Sequence, residues 1–187
     1  MINFARPVRL RGIHAAYAQY LTTERGQNRE GGVNIFQRIM DVYMCAIIIG
    51  LKYSKTADVD DSEIYSDSVF NNVKESDRKK ISSSDIPMDT MNASGIQLNH
   101  IYKVVMLSES IRGLSDEEKI ANAFKSDNNK EKVEKNLEFM NSLARGGLEI
   151  LYERFQGLTT DEQILQAQLA LIDSVHESID ETENGDF

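Results

Sequence analysis

Val42-Tyr43-Met44-Cys45-Ala46-Ile47-Ile48-Ile49-Gly50 is the most apolar stretch of the chain, and it carries no charged residue. Ile35-Phe36-Gln37-Arg38-Ile39-Met40-Asp41 leads into it and Leu51 follows. A membrane-spanning helix needs about 20 consecutive apolar residues. Gln37, Arg38 and Asp41 interrupt this run too early for that. The stretch therefore reads as one central helix, about 33–53, covered by protein on all sides.

The rest of the chain supplies helices to cover it. Ile13, Tyr17, Tyr20 and Leu21 recur at spacings of three and four, which predicts a first helix from about Arg9 to Glu24 with Pro7 at its entry. Residues 26–32, Gly-Gln-Asn-Arg-Glu-Gly-Gly, form a polar connector. Leu98, Ile101, Tyr102, Val105 and Met106 make a third stripe, ending near Arg112-Gly113. Ser115-Asp116-Glu117-Glu118 is a capping box, in which the serine accepts from the N3 amide and Glu118 reaches back. It opens a short helix ending near Phe124.

Asp127-Asn128-Asn129 opens a longer helix, with Val133, Leu137, Met140, Ala144, Leu148, Leu151 and Phe155 on one face. Gly146-Gly147 falls inside it. Each glycine there costs about 1 kcal/mol relative to alanine, so the helix bends or another backbone packs closely against it. Thr160-Asp161-Glu162-Gln163 is a second capping box, and Ile164, Leu165, Gln168, Leu169, Ile172 and Val175 are expected to face the core from the last helix. No alternation of apolar and polar residues with turn signals marks a β-sheet. The expectation is an all-α domain spanning 1–187, a compact bundle of about six helices, with an acidic tail at 180–187.

Residues 54–85 change character. An acidic run (Asp58, Asp60, Asp61, Glu63, Asp67) gives way to a basic one (Lys74, Arg78, Lys79, Lys80) and then to Ser82-Ser83-Ser84. Few apolar residues interleave them. The segment reads as a polar surface insertion, with a short helix near 67–76, dispensable for folding. Asp58 to Glu63 lacks the glycine and closing glutamate of a calcium loop and is expected to be solvated.

The chain has 187 residues and a net charge of −9, unevenly spread. Residues 1–55 hold eight Lys/Arg against three acids, whereas residues 56–187 hold 13 against 27. The acidic body repels DNA phosphates at long range. Arg6, Arg9, Arg11, Arg25, Arg29 and Arg38 nevertheless concentrate positive charge near the N-terminus, where they are expected to contact a partner or phosphates. Phe4, Val8 and Leu10 would add apolar contacts, so that residues 1–11 would serve a partner and not the fold. No secretory signal pattern is visible, and the expected setting is the cytoplasm of a microbe, with no membrane.

Chemistry is sparse. His14, His100 and His176 lie far apart in sequence, the sole cysteine is Cys45, and no metal-ligand spacing occurs. Cys45 lies among apolar residues, where a thiol behaves as a small hydrophobe. Glu117-Glu118-Lys119 contains the Glu-x-Lys half of a nuclease signature, but it falls in the first turn of a helix, where capping accounts for Glu118. Phosphate loops, nucleophile elbows and dinucleotide fingerprints are absent from the sequence. No catalytic residue, metal or cofactor is expected.

Ile35-Phe36, Met40-Asp41-Val42-Tyr43-Met44 and Ile49-Gly50-Leu51, together with Ala144-Arg145-Gly146-Gly147-Leu148-Glu149-Ile150-Leu151, resemble the small helical proteins encoded beside bacterial DNA-phosphorothioation (dnd) restriction genes. Related small subunits accompany large ATPases in other phage- and plasmid-defence operons. The matched blocks amount to 18 of the 187 residues. The insertion at 54–85 departs from the pattern. The resemblance implies a non-catalytic accessory subunit that docks onto a larger ATPase or nuclease of the same operon. The alternatives are a nucleic-acid-binding module using the N-terminal arginines and an acidic inhibitor that mimics DNA.

Overall fold

The computed structural model describes residues 8–22, 33–62, 64–65, 80–81, 83–85, 94–125 and 129–183. Among them are six helices: α1 (Gly12–Thr22), α2 (Ile39–Lys52), α3 (Gly95–Ser108), α4 (Asp116–Phe124), α5 (Lys130–Phe155) and α6 (Asp161–Glu183). The chain is an all-α bundle with α2 at its centre. Val42, Ala46 and Ile49 on one side of α2 join a core with α1 and the C-terminal half of α5. Met40, Tyr43 and Ile47 on the other side join a second core with α3, α4 and the middle of α5. One apolar helix thus serves two cores, which is why its sequence tolerates no charge between 42 and 50. Met44, Cys45 and Ile48 are only partly covered.

Two helix starts differ from the sequence reading. α1 begins at Gly12 because Arg9–Arg11 form strand β1, antiparallel to β4 (Ser83–Asp85), with Leu10 opposite Ser84. Leu10 is 3% exposed and belongs to the core, so it does not await a partner. Val8 also packs against the second core. The central helix begins at Ile39, not near residue 33. Residues 33–36 are irregular and their amides close the end of α1: Val33 N donates to Tyr20 O at 3.0 Å and Ile35 N to Leu21 O at 3.1 Å. These carbonyls would otherwise be left without partners at a helix C-terminus.

A second strand pair, β2 (Ile64–Tyr65) with β3 (Lys80–Ile81), lies within 54–85. The helix expected near 67–76 and the tail beyond Glu183 lie outside the described residues. Residues 55–62 form a strap that runs from α5 to the start of α1. Ala57 N donates to Ser142 O at 3.0 Å, and Arg145 Nε donates back to Ala57 O at 2.8 Å. Most of Asp58 to Ser62 is exposed, as expected, but Asp60 has a structural task. Its Oδ2 accepts from Ile13 N at 2.7 Å, capping α1 from a remote part of the chain.

Both capping boxes form. Ser115 Oγ accepts from Glu118 N while Glu118 Oε2 accepts from Ser115 N. Thr160 and Gln163 exchange the same bonds at the start of α6. Asn129 caps α5 by accepting from Lys132 N. The third stripe stops earlier than Arg112, at Ser108, because Glu109 turns extended and buries its carboxylate. That carboxylate accepts from Arg112 N and Arg112 Nε, both at 3.0 Å. Arg112 Nη1 donates to Asn136 Oδ1, Asn136 Nδ2 to Tyr102 OH, and Tyr102 OH to Asn122 O. The guanidinium also covers the Phe139 ring, 4.2 Å from its centroid. One connected polar network thereby ties α3, α4 and α5 together.

Candidate functional site

Among the described residues, groups able to act on something outside the fold lie in a polar cluster under the strap, at the N-terminal arginines and on the outer face of α6. The cluster forms where α1, α5 and the strap meet. His14 Nε2 lies 3.3 Å from Glu149 Oε1, and Glu149 Oε2 lies 3.0 Å from Lys55 Nζ. Tyr17 meets His14 edge-on and stacks on Tyr152 with ring centroids 3.9 Å apart. Burial holds the imidazole below its ordinary pKa, although the hydrogen bond and the charge of Glu149 oppose that effect. Nδ1 is buried without a hydrogen-bond partner among the described residues.

Imidazole, carboxylate and ammonium together are the elements of proton transfer. Yet His14 is 3% exposed, and a general base must reach the proton that it takes. In this arrangement the cluster is a joint that pins the strap to α1 and α5. The sequence shows His14 far from the other histidines and does not connect it with Glu149. Ala18, one turn after His14 on the same side of α1, is small and fully covered.

Arg9 and Arg11 flank Leu10 on β1 and are both exposed. Arg11 Nη1 pairs with Asp61 Oδ1 at 2.7 Å. Arg38 makes a bidentate contact with Asp41, Nε to Oδ2 at 2.9 Å and Nη2 to Oδ1 at 2.6 Å. Arg11 and Arg38 thus already carry a carboxylate of this chain. Arg6, Arg25 and Arg29 lie outside the described residues. Cys45 sits against the first core, and burial pushes its thiol up to about 11, far from a nucleophilic thiolate at neutral pH. Among the described residues no group of His, Cys, Asp and Glu is placed to hold a metal ion, and no helix is long and apolar enough to cross a membrane.

α6 carries large apolar residues on its outer side as well as on its core side. Ile164, Ala167, Leu171 and Val175 pack against the first core. Near its middle, Lys52 Nζ donates to Ser174 O, and Tyr53 OH reaches Ser174 Oγ. Leu165, Leu169 and Ile172, expected on the core face, lie on the other side and are 55%, 51% and 52% exposed. The stripe on α6 is wider than the surface available to cover it. Its period marks both halves as apolar without distinguishing which half the core takes. A second outward group is made of Val104 and Leu107 on α3 with Ile120 and Phe124 on α4, and the Lys103 ammonium lies 5.2 Å from the Phe124 ring centroid.

No protein-family model matches the chain, and no curated protein or solved structure matches it either.

Proposed function

We propose that this chain is a non-catalytic adaptor subunit of a bacterial DNA-targeting defence assembly, docking onto a larger ATPase or nuclease encoded beside it. The observation that carries the reading is α6. Three large aliphatic side chains at spacings of four and three stand about half in water on a helix whose opposite side already serves the core. Single exposed apolar residues need no explanation, but an aligned stripe of them marks an interaction face. The burial of the His14 ring supports a structural role for it over a chemical one. The resemblance of the α2 and α5 blocks to dnd-associated accessory proteins is what points to a defence setting, and the opposite charge of the two ends of the chain would orient such a subunit in an assembly.

Co-expression with the products of neighbouring genes tests the reading. A stable complex that survives size-exclusion chromatography is expected, with the isolated chain neither hydrolysing ATP nor cutting DNA. Failure of every neighbouring product to co-purify would reject the adaptor. Salt-sensitive retention of DNA by the isolated chain would favour the arginine-based alternative instead.

A further inference from the structure

We infer that the outward face of α6 receives an amphipathic helix of a partner protein whose apolar seam is flanked by Lys or Arg. The inference rests on the adaptor reading and names the chemistry of its partner. Leu165, Leu169 and Ile172 occupy one face at helical spacing, the pattern by which one helix presents a seam to another. Glu162 stands one turn before Leu165, and Asp173 stands one turn after Leu169. Both are exposed, so carboxylates bracket the apolar stripe along the same face.

The sign of charge selects the occupant. Residues 156–187 contain eight Asp/Glu and no Lys or Arg. A second copy of this chain would set carboxylates against carboxylates across the seam. An anionic membrane surface or a nucleic acid meets the same repulsion. A helix with basic flanks gains attraction from the acids that penalise the others, and its apolar residues meet the three aliphatic side chains. The opposite side of α6 is fixed by Ile164, Leu171, Val175 and the Lys52–Ser174 bond, so the outward face is presented on an anchored helix.

Two labelled synthetic helical peptides test this directly on the full chain. They share leucines at the a and d positions of a heptad and differ at the flanking e and g positions, lysine in one and glutamate in the other. In anisotropy titrations the lysine peptide is expected to bind roughly tenfold or more tightly than the glutamate peptide, and its affinity should fall severalfold as salt rises. Leu169→Gln should weaken the lysine peptide by about tenfold with the melting temperature unchanged. The double variant Glu162→Lys/Asp173→Lys should reverse the preference between the peptides.

Equal binding of both peptides, binding of neither, indifference to Leu169→Gln, or self-association through α6 in sedimentation would each overturn the inference. The adaptor reading is judged separately. It survives any of those results if a neighbouring-gene product still co-purifies through another face, and it falls if none does.

Discussion

Gly147 of α5 lies against the backbone carbonyl of Ala46 on α2, so close that a β-carbon on Gly147 has no room. Gly50 of α2 makes the same approach to the carbonyl of Leu143 on α5. The two helices exchange glycines across their crossing, and backbone meets backbone where side chains usually intervene. Cα–H···O contacts at such crossings are worth about 0.5–1 kcal/mol each. The larger consequence is geometric. α2 sits deep enough for both of its sides to be covered, and the two cores form around it.

Gly147→Ala separates the competing terms. Alanine gains about 1 kcal/mol of helix propensity over glycine. Overpacking costs about 1–3 kcal/mol and sometimes more, and here the obstacle is a carbonyl in a helix, which cannot rotate away. A net loss of about 2 kcal/mol is therefore expected from urea denaturation. Gly95→Ala is the control. No atom lies within 4 Å of the added carbon there, so stability should be unchanged or slightly raised. Equal stability of both variants would show that the crossing is looser than described.

Arg112 and Glu109 give a second expectation. The Glu109 carboxylate is fully buried, and Arg112 supplies both its backbone and side-chain donors. Arg112→Met should cost about 3–5 kcal/mol, because it leaves a buried charge without its counterion. Adding Glu109→Leu should recover part of that loss, since the orphaned charge goes with it. Chemical denaturation of the two single variants and the double variant measures the coupling. Strict additivity would contradict a paired network.

The His14 joint makes stability depend on pH. The folded-state pKa lies below the ordinary value of 6.5, chiefly through burial. As pH falls below 6.5, the unfolded chain binds a proton that the folded chain refuses. Stability is therefore full above that value and is lost progressively down to the folded pKa. Melting temperatures recorded from mildly alkaline to mildly acidic pH should decline more steeply for the wild type than for His14→Gln, which cannot titrate. Parallel declines would show that the imidazole is not sealed as described.

Much of this fold can be read from the residues alone. The charge-free run of α2 marks the centre, Ser115 and Thr160 fix the starts of α4 and α6, and the paired glycines at 146–147 imply a close backbone. The strands were not legible, because segments of two or three residues are too short for alternation to register. Nor was the remote cap on α1. Asp60 is separated from Ile13 by 47 positions, and nothing local in an acidic run singles out one carboxylate. His14 and Glu149 are farther apart still, 135 positions, and no local pattern links them. On α6, periodicity identified a wide apolar helix but assigned Leu165, Leu169 and Ile172 to the covered side. Which half is covered depends on the width of the core, and that width is set by other helices.

The outward face of α6 is the centre of the functional account, and hydrogen exchange tests it most directly. Helices with one face in water and few tertiary contacts open locally more readily than core helices, so their amides have protection left to gain. Exchange should be followed by mass spectrometry for the chain alone and for its complex with the co-purifying neighbour. The account predicts slowed exchange in peptides covering residues 161–175 on complex formation, with α2 and α5 changing little. A complex that forms while α6 exchanges at the rate seen in the isolated chain would contradict it.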